Sequence, residues 1–367
     1  MSDPVTGLPV VGIVGAGQLA RMAHQAAIAL GLSLRILADR PDDGAALVAA
    51  DVEVGDYRDR DELLRFAKGC DVVTFDHEHV PPDHLRALVD SGAVVRPGPE
   101  ALLFAQDKRA MRERLGELGL PVPRWSADPD GLPRPYVAKA VRGGYDGRGV
   151  WFVEPGEPLP DVEILVEERV PLARELAAVV ARRPSGEVRE WPVVETVQSD
   201  GICVEVISPA PGLAAQRAAE ARTIARTIAE SLGVVGVLAV ELFETAEGLV
   251  VNELAMRPHN SAHWTIEGAR TSQFEQHVRA VLDWPLGDTA AVAPWTVMVN
   301  VLGGPATDLA ASLPATLAAD PGVHVHLYGK GARPGRKLGH VTVTGDDLDS
   351  LRARARRAAD ALSGGGG

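Results

Sequence analysis

The sequence predicts an α/β (or α+β) protein of more than one domain, and three observations support this class. Near the N-terminus, the apolar strand Val10–Val14 leads through a glycine-containing turn into an amphipathic helix and a second strand at Leu34–Leu37, which is a βαβ unit. Later in the chain, the apolar runs Val234–Phe243 and Leu249–Leu254 flank the turn-like segment Glu244–Gly248, a pattern that predicts a β-hairpin. A chain of 367 residues with 46% hydrophobic residues is long enough for roughly two to four domains with buried cores.

Composition restricts the partners and the compartment of the protein. The formal net charge of −13 argues against a nucleic-acid surface, because binding of phosphate backbones needs a basic field. We expect no membrane segment, since no apolar run is long enough to cross a bilayer, and no export signal at the N-terminus. Cys70 and Cys203 are the two cysteines, too few for a disulfide framework or a thiolate metal site. The expected partners are therefore small molecules, and the expected compartment is the cytoplasm.

The first domain is predicted to span residues 1–100. In the βαβ unit, the amide groups of Gly15–Ala20 precede a helix and suit a phosphate. With Asp39, this segment also matches the dinucleotide fingerprint G-x-G-x-x-A, so a nicotinamide-dependent oxidoreductase is an alternative. The predicted strand Asp71–Phe75 is followed by acids and imidazoles at 76–79, at the sheet edge where open α/β sheets bind ligands. The segment Val94–Pro97 is expected to close the domain.

A glycine-rich segment predicts a lid over a phosphate group. A helix is predicted at Gln106–Leu118, and the predicted strand Tyr136–Ala140 carries Lys139. Between it and the predicted strand Trp151–Val153 lies R-G-G-Y-D-G-R-G, with four glycines in seven residues. Glycines let backbone amides approach phosphate oxygens closely. The segment lacks the G-K-[ST] ending of a P-loop, so no Walker-type site is implied, and a plain mobile turn is the structural alternative.

The central hairpin predicts a metal site. Glu241 and Glu253 lie almost symmetrically about Ala246 and are both odd-numbered, so their side chains should leave the same sheet face nearly opposite each other. Side-by-side carboxylates repel unless a cation lies between them, and Mg²⁺ prefers such oxygen ligands. An exposed edge strand with solvated acids is the alternative. The polar residues of Arg257–His263 follow this hairpin directly.

The C-terminal part contains a basic loop, Gly329–Lys337, with four cations in eight residues. In an acidic protein this loop is a candidate anion clamp, although a solvated loop is the alternative. Helices are predicted at Ala214–Leu232, at Gln273–Leu282 and up to about Leu362, with a disordered glycine tail after the last one. Short apolar runs predict further strands at Ile164–Glu168, Leu176–Ala181, Trp191–Val197, Cys203–Ile207, Val297–Leu302, His324–Tyr328 and Val341–Val343.

Taken together, these motifs resemble the ATP-grasp ligases, and among them the 5-(carboxyamino)imidazole ribonucleotide synthetase family. The resemblance extends from G-A-G-Q-L-A-R-M through R-G-G-Y-D-G-R-G and N-E-L-A-M-R-P-H-N-S-A-H to T-S-Q-F-E and R-P-G-R-K-L-G-H. It implies an ATP-grasp fold with a Rossmann-like pre-ATP-grasp domain at 1–100. The ATP-grasp domain would follow at 101–295, with a lid subdomain at about 120–170 and a metal and nucleotide subdomain at about 171–295. A C-terminal substrate-phosphate lobe would span 296–367.

The resemblance further implies an activity. It is the ATP-dependent carboxylation of 5-aminoimidazole ribonucleotide with bicarbonate, through carboxyphosphate, in de novo purine biosynthesis. Mg²⁺ is the implied cofactor, ATP the co-substrate, and a homodimer the implied assembly. Another ATP-grasp carboxylate–amine ligase, which would not need the basic C-terminal loop, and a non-catalytic nucleotide-binding regulator are the remaining alternatives.

Matching positions receive implied roles. The implied ATP-binding residues are Lys108, Lys139, Gly144, Tyr145, Asp146, Gly147, Arg148, Gly149, Val150, Glu167, Glu168, Arg169, Val170, Glu175, Gln198, Asn252 and Glu253. The implied ribonucleotide-binding residues are Glu78, Tyr145, Arg257, His259, Asn260, Ser261, Lys330 and Arg336. Arg257, His259, Lys139 and Tyr145 would take part in the chemistry, and Glu241 and Glu253 would hold Mg²⁺. The chain departs from the family pattern at Ala16, Ala20, Ala262, Met256, His79 and Gln198, where the family usually has Gly, Gly, Gly, Pro, Asn and His.

Overall fold

The computed structural model describes residues 3–144, 147–304 and 307–364. The chain forms three β-sheets with helices packed on them, so the predicted α/β class is confirmed. Tyr145 and Asp146, which were assigned to the lid, and the end of the glycine tail lie outside the described residues. Within the described part of the chain, no helix has the length and apolar character that crossing a bilayer requires.

The first sheet has four parallel strands in the order β3-β2-β1-β4. Its strands are β1 (Val10–Val14), β2 (Ser33–Ala38), β3 (Asp51–Val54) and β4 (Val72–Phe75), and its helices are α1 (Gln18–Ala29), α2 (Arg60–Ala67) and α3 (Pro82–Asp90). The segment Val94–Pro97 joins this sheet through an isolated bridge between Val95 and Val73. The βαβ unit itself is confirmed, since β1 and β2 pair in parallel around α1.

Two short helices connect the first sheet to the rest, α4 (Pro99–Gln106) and α5 (Lys108–Glu117). The predicted single helix Gln106–Leu118 is therefore wrong at its start. Asp107 leaves the helical conformation and its carboxylate accepts a hydrogen bond from Ala110 N at 2.9 Å, which is the usual action of an aspartate at a helix N-cap. As a result, Lys108 occupies the first turn of α5, next to the glycine-rich segment.

The second sheet carries the predicted lid. Its four antiparallel strands have the order β5-β8-β6-β7. They are β5 (Trp125–Ser126), β6 (Tyr136–Ala140), β7 (Val150–Val153) and β8 (Ile164–Glu168). The glycine-rich segment connects β6 to β7, as predicted, so it projects from one end of a small independent sheet.

The third sheet is a single nine-stranded sheet. Its main path is β14-β13-β9-β11-β12-β15-β17-β16, and β10 pairs with β9. The strands are β9 (Arg174–Arg182), β10 (Val188–Glu190), β11 (Val194–Ser199), β12 (Ile202–Ser208), β13 (Gly236–Glu244), β14 (Leu249–Ala255), β15 (Trp295–Leu302), β16 (His324–Leu327) and β17 (Lys337–Gly345). The helices around it are α6 (Ala215–Ser231), α7 (Thr265–Gly268), α8 (Gln273–Val281), α9 (Leu309–Ala319) and α10 (Leu348–Ser363). The strands after residue 295 thus extend the sheet that carries the central hairpin.

A buried histidine joins the first sheet to the third. His277 of α8 lies with its Nδ1 atom 3.1 Å from Val237 N and its Nε2 atom 2.8 Å from Thr74 Oγ1. A backbone N–H can only donate, so Nδ1 accepts and Nε2 carries the proton that it donates to Thr74. Burial lowers the pKa of His277 to about 4, and the ring is therefore neutral at physiological pH.

Acid is expected to weaken this junction. Because the pKa of His277 is lower in the folded protein than its ordinary value of 6.5, the unfolded chain binds more protons between pH 6.5 and pH 4. The contribution to the free energy of unfolding is full above pH 6.5, is lost as the pH falls towards 4, and amounts to roughly 3 kcal/mol. Urea unfolding of the wild type and of His277→Gln, measured at intervals between pH 7 and pH 4.5, should show a shallower pH dependence in the variant. Equal pH dependence in both proteins would contradict this assignment.

Candidate active site

The central hairpin places its two glutamates as the sequence predicts. Glu241 of β13 and Glu253 of β14 are directly paired in the antiparallel register. Beyond this pair the register shifts by one residue, with Leu242 opposite Val251, so Asn252 is the extra residue of a β-bulge. A bulge re-aims the side chain that it contains, and Asn252 Nδ2 lies 3.5 Å from Glu241 Oε2. Three oxygen-bearing side chains therefore face one space.

The charges in this space suit a divalent cation. Burial, together with the neighbouring carboxylates Glu253 and Glu175, raises the pKa of Glu241 to about 7. A cation between the carboxylates would remove this repulsion. In the described part of the chain no group of three or more His, Cys, Asp or Glu side chains could hold a metal by itself. Two carboxylates fit Mg²⁺, which usually takes one or two protein carboxylates and completes its shell with phosphate oxygens and water.

Two lysines converge on the same hairpin from different elements. Lys108, at the start of α5, forms an ion pair with Glu253. Lys139 of β6 donates to Asn252 Oδ1 at 2.8 Å and pairs with Glu167 Oε2 at 2.8 Å. Both lysines are almost fully buried, so their positive charges act in a region of low dielectric constant. The predicted phosphate-binding lysines are thus brought together with the predicted metal ligands.

Glu167 is held by a buried ionic network that the sequence analysis did not anticipate. Its carboxylate accepts a hydrogen bond from Arg112 Nε at 2.6 Å as well as the contact from Lys139. Burial raises the pKa of Glu167, but Arg112 and Lys139 outweigh this effect and hold the pKa at about 2. Arg112 also donates to the backbone oxygens of Val251 and Asn252, at 3.2 and 2.7 Å. Both oxygens of the Glu167 side chain thus bind cations of the protein, and the assignment of Glu167 to the adenine stays a prediction.

The other residues assigned to the base and ribose lie along the neighbouring strands. Glu168 accepts hydrogen bonds from Arg124 N and Nε, at 2.9 and 2.7 Å, and Arg169 pairs with Glu154 at 3.0 Å. Val170, two residues after the end of β8, is half-buried. Glu175 of β9 is half-buried, and burial raises its pKa although a hydrogen bond from the Gln198 side chain opposes this shift. Glu175 and Gln198 are thus neighbours on one face of the large sheet, next to the hairpin.

The described part of the glycine-rich segment lies next to the lysines and the glutamates of the hairpin. A Cβ atom added at Gly144 would lie 3.8 Å from Lys108 Cε. Gly149 O accepts a hydrogen bond from Ala140 N at 2.8 Å, which fixes the lid's C-terminal end beside Arg148 and Val150. At the other side of the loop, a Cβ atom added at Gly201 would lie 3.1 Å from Gly147 Cα. The loop therefore spans from α5 to the turn between β11 and β12.

The segment after β14 is held from two sides. Arg257 Nε donates to Glu78 Oε2 at 2.7 Å, and Met256 N donates to Glu78 Oε1 at 3.1 Å, so a carboxylate of the first domain fixes the orientation of Arg257. His259 Nε2 lies 3.4 Å from Glu241 Oε1, and its Nδ1 atom lies 2.9 Å from Ser261 Oγ. Asn260 is buried, and its side-chain oxygen and nitrogen have no hydrogen-bond partner among the described residues. A polar ligand could therefore bind Asn260.

The basic loop Gly329–Lys337 contacts the first domain. Lys330 contacts Gln18 Oε1 at the start of α1, and its ammonium lies 5.6 Å from the centre of the Tyr328 ring. Arg336 is half-buried and donates to Gly331 O at 3.2 Å. Lys330 thus points to the N-terminal end of α1, where an anion is favoured.

The amides before α1 are already occupied in part. Asp76, directly after β4, accepts hydrogen bonds from Gly17 N and, at 3.0 Å, from Ala20 N. A pyrophosphate in the manner of a dinucleotide would compete with this carboxylate for the same amides. The nicotinamide alternative is therefore not supported by the structure, and the glycines of this turn are explained by the close approach of Asp76.

Three residues of this region were missed as candidate site residues. Arg112 lies four residues after Lys108, so the helical spacing could have placed both on one face of α5. Gln18 is part of the quoted N-terminal string, but its proximity to Lys330 depends on contacts between residues 312 positions apart. Lys337 was counted only as part of the basic loop, whereas in the structure it begins β17 and its charge lowers the pKa of Glu241. It therefore faces the carboxylate pair.

Comparison with known proteins finds relatives along almost the whole chain. The family model of a ribonucleotide synthetase preATP-grasp domain matches residues 8–106, and that of an ATP-grasp domain matches residues 115–274. A phosphoribosylaminoimidazole carboxylase C-terminal domain matches residues 296–354. The N5-carboxyaminoimidazole ribonucleotide synthase of Mycobacterium tuberculosis is 55% identical, over 97% of this chain and 88% of that protein. The synthase of the same name from Corynebacterium ammoniagenes is 51% identical, over 98% and 93% of the two chains.

Solved structures agree with these relatives. The N5-carboxyaminoimidazole synthase of Aspergillus clavatus, in complex with ADP and 5-aminoimidazole ribonucleotide, is similar with a TM-score of 0.87 and 30% sequence identity. The similarity covers 96% of this chain and 98% of that one. The architecture is therefore shared over almost the whole chain.

Proposed function

Since this chain belongs to the N5-carboxyaminoimidazole ribonucleotide synthase family of ATP-grasp ligases, we propose that its site carries out the ATP-dependent carboxylation of 5-aminoimidazole ribonucleotide. The family and the ATP-grasp fold predicted from the sequence are confirmed by these relatives. The observation that carries the proposal is the opposed pair Glu241 and Glu253, facing Lys108 on one side and Arg257–His259 on the other. Nucleotide chemistry and acceptor chemistry can thus take place side by side.

The chain's own residues supply most of what the reaction needs. Bicarbonate would attack the γ-phosphorus of ATP, so that one P–O bond forms, the bond to ADP breaks, and carboxyphosphate results. Lys108 and Lys139 would neutralise charge on the phosphate oxygens. Glu241 and Glu253 would hold Mg²⁺, which would supply positive charge against the charge that develops on the phosphates. The exocyclic amine would then form the new N–C bond while the C–O bond to phosphate breaks, and the leaving phosphate would take up the proton that the amine loses.

Arg257 and His259 are proposed to hold the carboxyl group during the second step. Both follow β14 directly, and Glu78 orients the Arg257 guanidinium. His259 accepts from Ser261 N at its Nδ1 atom, over 3.4 Å, which leaves Nε2 to act as a donor towards the site. Two cationic or polar donors are suited to an anionic intermediate that water would otherwise destroy.

For the ribonucleotide phosphate we propose the space between the basic loop and α1. Lys330 and Gln18 contact each other there, and the positive charge of Lys330 would attract the phosphate, because Asp76 already takes up amides before α1. Arg336 lies on the same loop. We also propose that the enzyme acts in the cytoplasm as a homodimer, which the family resemblance supports. A monomer mass in analytical ultracentrifugation at micromolar concentration would overturn the dimer.

The test of the function is ADP release with Mg-ATP and bicarbonate, measured with and without aminoimidazole ribonucleotide. We expect release to depend strongly on the ribonucleotide and to match the amount of carboxylated product. Release that the ribonucleotide does not stimulate would overturn the assigned acceptor and favour another ATP-grasp ligase.

The contact between the lid and the turn after β11 leads to a separate prediction. Asp200 and Gly201 have positive φ angles of 51° and 75° and form a two-residue hairpin turn. Asparagine tolerates this backbone conformation, but in Gly201→Asn the added atoms would meet Gly147. We expect kcat/KM for ATP to fall about 10- to 100-fold, because the lid loop cannot reach its place over the phosphates.

Gly212→Asn is the matched control. Gly212 has a similar positive φ of 62°, and a Cβ atom there meets nothing within 4 Å. Its steady-state ATP kinetics should remain close to those of the wild type. Equal losses in the two variants would show that backbone strain, rather than the contact with the lid, causes the effect.

A further inference from the structure

We propose that Gln273, the first residue of α8, is a positioning residue that fixes the backbone of His259 for carboxyl transfer. Neither the sequence motifs nor the site described above gives this side chain a role. The inference rests on the proposed function, because it concerns the step in which His259 helps to hold the intermediate.

The amide of Gln273 binds both backbone groups of His259. Its Oε1 atom accepts a hydrogen bond from His259 N at 2.7 Å, and its Nε2 atom donates to His259 O at 2.8 Å. Gln273 is fully buried, so water does not compete for these bonds and they are stronger than at the surface. One side chain therefore binds both backbone groups of His259, whose carbonyl also accepts a hydrogen bond from Ala262 N at 3.0 Å.

The orientation of this amide is fixed by the groups around it. A backbone N–H can only donate and a backbone carbonyl can only accept, so the oxygen must face His259 N and the nitrogen must face His259 O. The second hydrogen of Nε2 points to His263 Nδ1 at 2.9 Å. Both hydrogens of the amide are used, and His263 is left as a neutral ring with its proton on Nε2.

The backbone of Gln273 is itself held by a hydrogen bond. Gln273 N donates to Thr265 Oγ1 at 2.9 Å, and Thr265 Oγ1 donates to Ala262 O at 2.6 Å. The backbone and the side chain of Gln273 therefore both bind the same segment, residues 259–265. A change at the Gln273 side chain would release the His259 end of this segment while the start of the helix stays in place.

This position matters because His259 faces the carboxylate pair. Its ring is oriented by Ser261, but the point from which the ring projects depends on the backbone that Gln273 holds. A displacement of about 1 Å at a reacting group can cost about 100-fold in rate. In this reaction, a displaced His259 would let carboxyphosphate reach water, so ATP would be consumed without carboxylation of the amine.

The chain offers a matched control one turn further along α8. Gln276 is also fully buried, and it binds a backbone in the same way: Oε1 accepts from Gly287 N at 2.7 Å, and Nε2 donates to Gly287 O at 2.9 Å. Gly287 does not belong to the site. Substitutions at Gln273 and Gln276 thus remove similar buried hydrogen bonds, but the bonds of Gln273 hold His259, whereas those of Gln276 hold Gly287.

The test compares Gln273→Met with Gln276→Met by the ratio of ADP released to carboxylated ribonucleotide formed. This ratio does not depend on the fraction of folded enzyme, because both products come from the same active molecules. We expect a ratio near one for the wild type and for Gln276→Met, and a several-fold higher ratio for Gln273→Met. The rate at which carboxylated ribonucleotide forms should fall by about 10-fold or more in Gln273→Met alone.

A second pair keeps the inference testable if the methionine variant does not fold. Gln273→Glu retains an acceptor for His259 N but places an oxygen against His259 O, and Gln276→Glu makes the same change at Gly287. The ratio of ADP to carboxylated ribonucleotide should rise in Gln273→Glu and should stay near one in Gln276→Glu. A ratio of one in every soluble Gln273 variant would overturn the positioning role. Absence of ribonucleotide-dependent ADP release from the wild type would instead overturn the proposed function.

Discussion

Glu253→Gln should lower ATP turnover about 100- to 1,000-fold and leave the fold intact. The substitution keeps the size of the side chain but removes the charge that faces Glu241 across the hairpin, so a divalent cation loses one of its two carboxylates. Preorganised charges of this kind are typically worth about 10²–10³ in rate each. Lys108, which pairs with Glu253, would also lose its partner and its fixed position. ADP release at saturating Mg-ATP, bicarbonate and ribonucleotide measures the effect.

The control for this variant lies in the same hairpin. Glu247 is exposed in the turn between β13 and β14, so Glu247→Gln makes the same change of charge away from the site. Its turnover and its thermal unfolding should match the wild type. If Glu253→Gln retained turnover within a few-fold of Glu247→Gln, the metal assignment would have to be abandoned.

Arg112→Met should cost about 3–5 kcal/mol of the free energy of unfolding, the usual consequence of removing one partner from a buried ion pair. Arg112 is fully buried, pairs with Glu167 at 2.6 Å and donates to two backbone oxygens of β14. Without it, Glu167 keeps only Lys139 as a cationic partner, and the pKa of Glu167 would rise. Since Lys139 would then be drawn more strongly to Glu167, we also expect weaker binding of ATP. Urea unfolding and ATP titration measure the two effects.

Arg109→Met is the comparison for Arg112→Met. Arg109 lies on the same helix, but it is exposed and pairs with Glu113 one turn away at 3.1 Å. Such a surface pair contributes about 0.5 kcal/mol or less. Similar losses of stability in the two variants would contradict the role of the buried network in joining α5, β8 and β14.

The local part of the site could be read from the sequence. In an even-sum register the two-residue period of a strand places Glu241 and Glu253 on the same face, and the two residues lie within 13 consecutive positions. In the structure their direct opposition also requires the bulge, because the register next to the turn pairs Glu244 with Leu249 and would place Glu241 opposite Asn252. The same rule cannot show the bulge at Asn252, because a bulge breaks the alternation on which the rule depends. For the same reason, sequence analysis could not establish that Asn252 and Glu253 contact different lysines.

The long-range part of the site could not be read in this way. Asp76 reaches the amides before α1 because β4 pairs with β1, and these strands are far apart in the sequence. The charge of Glu167 is matched by Arg112 on a preceding helix, which a pattern of strand residues does not reveal. The N-cap at Asp107 was misread because the flanking residues on both sides favour a helix, so their periodicity hid the break.

The continuity of the large sheet limits how the protein can be shortened. Strand β15 pairs with β12 on one side and with β17 on the other. A fragment that ends at residue 295 would therefore leave β12 with a row of unsatisfied N–H and C=O groups along its length. Exposed sheet edges of this kind recruit further strands, and we expect such a fragment to self-associate, which light scattering after purification would detect. Fragments intended for crystallisation or for binding assays should retain the C-terminal strands, even when only the nucleotide site is of interest.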